Sequence, residues 1–353
     1  MTRSRVHVAV LAGDGIGPEV VDATLAVLDA LDRRHDLGLG FTQHRAGALA
    51  YRDTGTGMSE DTFAACAAAD AILLGAMGWP GIRYPDGTEI SPQIELRQRL
   101  DLYAGLRPIR SIPGVPSLLV DPRAEAIDFV LLRESTEGLF HSMGHGVVTE
   151  DYAEETLRIT RRTTTRLAQR AFALAARRRG KVTLADKANV FRAFAWMRGI
   201  FTEVAAGHPE VRFEAQYVDA MALDLLRRPW DFDVVPTENM FGDILSDLAA
   251  GLVGGLGFAP SADVGDGNAM FQPSHGTAPD IAGQGVANPT ATMLSAAMML
   301  EWLGEPHMDD AASELRGAID AAFAGGLRTP DIGGTHGTAE VTRRVIEALP
   351  SAA

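Results

Sequence analysis

The sequence predicts an α/β protein built on a largely parallel sheet. Two observations carry that reading: short apolar, β-branched runs alternate with helical segments, and glycine or aspartate marks most strand-to-helix turns. The 353 residues suit about two domains rather than one. With 46% hydrophobic and 22% charged residues, the balance is that of a globular chain and not a disordered one.

Taken in order, residues 6–11 read as a buried strand. Arginines precede it, but the apolar run is short and glycines follow at once, unlike a signal peptide. Gly13-Asp14-Gly15-Ile16-Gly17 is a turn, Pro18 suits a first helical position, and Val20, Val21, Leu25, Leu28 and Leu31 recur at helical spacing. An alanine-rich helix near 63–69 precedes a strand at 71–75. The Gly/Pro-rich loop 77–92 is too long for a passive connection. A helix at 93–102 leads into a strand at 103–110. Next come a strand at 128–133, a long basic helix at 154–179 ended by Gly180, and a strand at 181–185. Asp186-Lys187-Ala188-Asn189 then opens a helix, and a strand at 213–218 runs into Asp219 and a further helix. A strand at 232–236 precedes a helix at 242–252, and residues 254–289 read as loop-rich. Helices at 290–303, 311–324 and 339–349 close the chain. There is no internal repeat.

Charge and cysteine content exclude several function classes. A formal net charge of 32 − 46 = −14 argues against nucleic acid as a bulk partner, and the arginines of 158–179 read as a solvated helix face. No apolar stretch is long enough to cross a bilayer. The single Cys66 excludes a disulfide framework and a Cys-rich zinc site, and fits the reducing cytoplasm.

Three constellations point to chemistry. The glycine turn after the first strand invites a dinucleotide-binding reading, but Pro18 stands where a third glycine belongs and no acidic partner follows. A tight strand-to-helix turn is the simpler reading. Asp243 and Asp247 are four apart on a helix, so both carboxylates share one face. Hard oxygen ligands so placed suit Mg²⁺ or Mn²⁺, the alternative being a solvated surface pair. Apolar Ile244, Leu245 and Leu248 suggest that the pair edges a buried face. Arg97, Arg107 and Arg133 lie on a helix or at strand ends, where guanidinium groups could clamp a di- or tricarboxylate.

In order, these residues match a known pattern: Gly13-Asp14-Gly15-Ile16-Gly17-Pro18-Glu19, Leu96-Arg97, Arg107-Pro108, Arg133-Glu134, Asp186-Lys187-Ala188-Asn189 and Val218-Asp219-Ala220-Met221. Gly242-Asp243-Ile244-Leu245-Ser246-Asp247, the run His275 to Gly283, and Ala287-Asn288-Pro289-Thr290 continue it. The chain resembles, over essentially its whole length, the metal-dependent β-decarboxylating dehydrogenases that act on 3-isopropylmalate, isocitrate, homoisocitrate and tartrate or D-malate. That resemblance implies an isopropylmalate-dehydrogenase-like fold, not a Rossmann fold: two α/β domains with a large mixed, mostly parallel sheet. The cofactor domain would be discontinuous, 1–101 plus 258–353, and 102–257 would carry substrate, metal and dimer contacts.

Carried over, Arg97, Arg107 and Arg133 grip the malate carboxylates, and Ser91 and Gln93 belong to the pocket for the C3 substituent. Asp243, Asp247 and Asp219 hold Mg²⁺ or Mn²⁺. Lys187 and Asp219 are catalytic and reach the site from the other subunit of a homodimer. His275, Gly276, Asp280, Ile281 and Asn288 hold the cofactor, with Asn189 near the nicotinamide. Aspartate at 280 accepts the ribose diol and repels a 2′-phosphate, which implies NAD.

Two departures bear on the substrate. Phe140 stands where the family usually has the tyrosine expected to protonate carbon after decarboxylation, so His141, His145 or water must serve, or decarboxylation is inefficient. The C3-substituent segment offers Ile90, Ser91, Gln93 and Ile94, a mixture of apolar and polar side chains. The expectation is an NAD- and metal-dependent oxidation of a (2R)-malate-type acid, with decarboxylation, led by 3-isopropylmalate or another 3-substituted malate. Tartrate or D-malate and isocitrate or homoisocitrate follow. A non-catalytic regulatory subunit is the reading from another class, and the retained lysine, aspartates and arginines oppose it.

Overall fold

A computed structural model describes residues 6–350; the two arginines ahead of the first strand lie outside it. The strands are β1 Val6–Gly13, β2 Leu39–Gln43, β3 Ala71–Ala76, β4 Ala104–Arg110, β5 Asp128–Glu134, β6 Val147–Val148, β7 Ala153–Glu154, β8 Lys181–Asp186, β9 Arg212–Tyr217, β10 Val234–Thr237, β11 Pro260–Val264 and β12 Ala269–Pro273. The α-helices are α1 Gly17–His35, α2 Ala48–Thr54, α3 Glu60–Ala68, α4 Pro92–Arg99, α5 Arg161–Ala176, α6 Arg192–Ala205, α7 Val218–Arg227, α8 Asn239–Leu252, α9 Thr290–Leu303, α10 Pro306–Ala324 and α11 Thr338–Ala348.

The chain divides into two compact units. One holds the chain up to Leu100, Ile112–Pro116 and everything from Gly254 on; the other holds Asp101–Ser111 and Ser117–Val253. In the first, strands run in the order β2-β1-β3-β12-β11, parallel except for the β11–β12 pair. In the second, the order is β4-β5-β10-β8-β9, parallel except for β4–β5. Every residue of β3 is buried, as expected of a parallel strand covered on both faces. The core of the second unit gathers Phe129, Leu131, Met221, Leu225, Phe232 and Leu245 between its sheet and helices α7 and α8.

Several elements differ from the sequence reading. The long basic helix starts at Arg161, not at 154, because the Thr160 hydroxyl accepts from the Thr163 amide at 3.3 Å and caps it. Glu154 lies instead in β7, paired with β6. The stretch expected to be loop-rich contains the β11–β12 hairpin, both strands wholly buried. Helix α8 begins three residues earlier than expected, capped by Glu238. β2 and α2 had no counterpart in the reading, since Gly38, Gly40 and Gly47 interrupt any period there.

Candidate active site

In the second unit, α8 begins with the Glu238 carboxylate accepting from the amides of Met240 (3.1 Å) and Phe241 (3.3 Å). That cap sets the phase of the helix, so Asp243 and Asp247 face solvent one turn apart. Leu245 is buried, but Ile244, one of the apolar neighbours that suggest a buried face beside the pair, is 61% exposed.

Arg133, at the end of β5, is buried. Its Nε donates to Asn239 Oδ1 at 2.8 Å, and its Nη1 pairs with Asp243. Asn239 in turn donates to the Glu137 carbonyl at 3.1 Å. Gly242 makes room for this arginine: a Cβ there would lie 2.7 Å from Arg133 Cγ. The Phe140 ring centroid is 5.4 Å from the Arg133 guanidinium carbon, so an apolar ring covers the cation. His141 bonds through Nε2 to Arg158. Arg107, on β4, is buried as well. Burial first, then the Asp243 charge, push the Asp247 carboxyl above its usual range, against the pull of Arg107 and Arg133.

Lys187 follows β8 directly. The preceding Asp186 is fully buried and accepts from Arg198 Nε at 2.8 Å and from the Ala188 amide at 2.9 Å, which fixes the turn. Lys187 Nζ then reaches Asp219 Oδ1, in the first turn of α7, at 2.6 Å. That hydrogen bond holds the Asp219 carboxyl below its ordinary value. Asn189 is exposed in the turn that follows Lys187.

In the first unit, Arg97 on α4 is buried, its Nε 3.0 Å from Asp263 Oδ2. Asp263, on β11, has no exposure and also accepts from Gln272 at 2.9 Å. Ser91 immediately precedes α4 and Gln93 lies in its first turn; Gln93 Oε1 is buried with no hydrogen-bond partner among the described residues. Ile90 is fully buried, where a Cβ on Gly57 would meet it at 2.8 Å, so it packs inward and offers nothing to a pocket.

Beyond β12, Asp280 and Gly276 are exposed, and Ile281 packs beside Ile16 and Val20. His275 Nδ1 bonds the Gly276 carbonyl at 2.9 Å, while Nε2 is buried and has no partner among the described residues. Burial keeps this imidazole below its usual pKa. Asn288 donates to Asp331 Oδ2 at 3.0 Å, and a Cβ on Gly257 would collide with that same carboxylate.

Within each unit, then, the structure brings together Arg107, Arg133, Asp243 and Asp247; Lys187 and Asp219; and, through Asp331, His275 and Asn288. The sequence reading missed Asn239, Asp263 and Asp331, which orient Arg133, Arg97 and Asn288. Asn239 was legible as a polar residue one turn before Asp243. Asp263 was not, because its strand lay inside a stretch read as loop. No group of three or more metal-ligating side chains is clustered among the described residues.

The model of the isocitrate/isopropylmalate dehydrogenase family matches residues 7–349. The chain is 40% identical to the 3-isopropylmalate dehydrogenase of Aquifex aeolicus, over 98% of this chain and 97% of that one. The crystal structure of isocitrate dehydrogenase from Methylococcus capsulatus superposes with a TM-score of 0.87 at 36% identity, covering 98% of this chain and 99% of that one. A β-decarboxylating dehydrogenase from Thermococcus kodakarensis, in its apo form, gives 0.81 at 38% identity, covering 98% and 96%. The chain belongs to the isocitrate/isopropylmalate dehydrogenase family, and is an oxidoreductase acting on a CH–OH group.

Proposed function

We propose that the protein oxidises a (2R)-malate-type hydroxy acid with NAD and Mg²⁺ or Mn²⁺, releasing CO₂, and that its substrate is 3-isopropylmalate or another 3-substituted malate. One observation carries this most: two carboxylates, Asp243 and Asp247, share an exposed helix face beside two buried arginines, Arg107 and Arg133. The donor set fits a hard divalent cation: burial and the Asp243 charge both disfavour ionised Asp247, and a cation held by these carboxylates would offset that penalty. Asp219 would complete the set from a second copy of the chain. When bound, the cation polarises the hydroxyl and carboxylate oxygens of the acid.

The cofactor residues fit as well. A buried His275 Nε2, without a partner among the described residues, and the Asn288–Asp331 pair over Gly257 would offer polar edges for an adenine. Exposed Asp280 suits an unphosphorylated ribose. NAD, when bound, accepts the hydride.

The chain's own groups do the rest. Arg97, Arg107 and Arg133 would hold carboxylates: all three are buried, which limits how far each planar fork can turn. Lys187 Nζ, held 2.6 Å from Asp219 Oδ1, would take the hydroxyl proton in its neutral form, after releasing its own proton to solvent. When CO₂ leaves, the remaining carbon needs a proton; Phe140 has no hydroxyl to give and His141 is engaged with Arg158, which leaves His145 or water to supply it. Apolar side chains exposed on the second unit, among them Phe191, Leu223 and Ile244, support a homodimer that shares its active sites. A reducing cytoplasm suits the one buried thiol, Cys66.

A second reading rests on Ser91 and Gln93. With Ile90 turned into the core and Gln93 Oε1 lacking a partner among the described residues, this segment would also suit a polar C3 substituent. The test is NADH formation with Mn²⁺ and NAD across alkyl, hydroxyl and carboxymethyl malates, with CO₂ counted. Turnover of a 3-substituted malate with CO₂ and NADH near equality is expected. Silence across the panel supports a non-catalytic regulatory subunit instead, and NADH without CO₂ removes the decarboxylation.

A further inference from the structure

The glycine turn between β1 and α1 has no part in the function proposed above, yet it holds a fully buried carboxylate. Asp14 is 0% exposed. Its Oδ2 accepts from the amides of Ala48 (2.7 Å) and Gly78 (2.9 Å), and its Oδ1 from the amide of Leu49 (2.9 Å). A Cβ on Gly47 would collide with this carboxylate, so the chain passes it as closely as a backbone can. Gly78 opens the loop 77–92 that leads to Ser91, Gln93 and Arg97.

The same turn grips a second loop. The Ile16 amide donates to the Thr277 carbonyl at 2.8 Å. Gly15 has no room for a Cβ because that carbonyl lies against it. The Ile16 side chain packs with Ala278, Ile281 and Ala287. Ala278 holds φ +37°, a left-handed conformation that a side chain rarely adopts unless its surroundings enforce it. Gly13, Gly15 and Gly17 each lie against a backbone carbonyl, of Ala76, Thr277 and Ala12, and Asp14, between the first two, takes three backbone donors. Charged acceptors make the stronger hydrogen bonds, and buried ones lose most when a donor is left unpaired.

We propose that Asp14 is a positioning residue that ties the substrate-side loop 77–92 to the cofactor-side loop 275–281, so that ordering either loop favours the other. It touches neither ligand; it acts through the amides it holds and through the two-residue path to Ile16. The assignment of those loops to substrate and cofactor rests on the function proposed above.

Hydrogen exchange on the whole protein, with and without NADH, tests it first. The expected result is slower exchange at residues 275–281 and also at Ala48, Leu49 and Gly78. Asp14→Asn replaces an acceptor with an NH₂ facing backbone N–H groups, and should keep the NADH effect at 275–281 while losing it at 77–92. Its KM for both NAD and the hydroxy acid should rise about tenfold, with kcat changed much less. A merely structural loss would lower the active fraction, and so kcat, at unchanged KM. Wild-type protein that turns over, and protects 275–281 but not 48–49 and 78, overturns the coupling, whether or not the variant folds. So does a folded Asp14→Asn with wild-type KM values. No NADH effect at 275–281 together with no turnover would instead overturn the cofactor assignment itself.

Discussion

At the residue scale, the proposed site rests on buried charges that neighbouring side chains orient. Arg133 has one nitrogen set by Asn239 and another by Asp243, and Arg97 is set by Asp263. Removing Asp263 would leave a buried arginine without that counter-charge, so Asp263→Ala should cost about 3–5 kcal/mol, read as a drop in the urea midpoint. Asp247 yields a pH prediction. Its folded carboxyl titrates above the unfolded one. Stability from the protonated form is then fully present below the unfolded value, near pH 4 for an aspartate, and lost as pH rises through the folded value. Without metal, the melting temperature of wild type should fall relative to Asp247→Asn between acid and neutral pH. Added Mg²⁺ should raise the wild-type value at neutral pH and leave the variant unmoved; equal shifts in both would remove Asp247 from the metal site. The charged residues were legible as candidates, because arginine and aspartate at strand ends and at i, i+4 carry a chemical meaning. Their orienting partners were not, because nothing in a sequence says which asparagine faces which guanidinium.

At the element scale, α8 does most to shape the site, and Gly242 is its least replaceable position. Helical propensity alone favours alanine there, by up to about 1 kcal/mol. The geometry says otherwise, since a Cβ would press on Arg133 at 2.7 Å. Gly242→Ala should therefore destabilise by about 1–3 kcal/mol. It should lower kcat/KM for the hydroxy acid by about 100-fold as the guanidinium shifts. Thermal melting and steady-state kinetics check the two halves separately. Strands flanked by glycine and helices with a clear 3.6-residue period were readable. The β11–β12 hairpin was hidden because its Pro, Ser and Ala residues do not look like a buried strand, although all of them are buried. The start of α5 was hidden because a charged run before Thr160 mimics a helix that the threonine cap cuts short.

At the scale of the whole molecule, a net charge of −14 says little about Arg107 and Arg133, buried beside the α8 carboxylates. What the bulk numbers could not show is the exposed apolar surface of the second unit. Phe191 is 55% exposed, Leu223 52% and Ile244 61%, and Ile244 immediately follows Asp243 along α8. If that surface joins two copies, Ile244→Asp should yield monomers by light scattering and lose turnover, because Lys187 and Asp219 would no longer reach a partner's site. An active monomer would refute shared sites. The central claim, however, is metal-dependent oxidation at the α8 aspartates. Its most direct test compares wild type with Asp243→Asn for NADH formation from a 3-substituted malate as Mn²⁺ is titrated from zero. The account predicts wild-type turnover that requires Mn²⁺, and at least about a 100-fold loss in the variant at any metal concentration. Turnover by Asp243→Asn that is near wild type, or independent of metal, would contradict it.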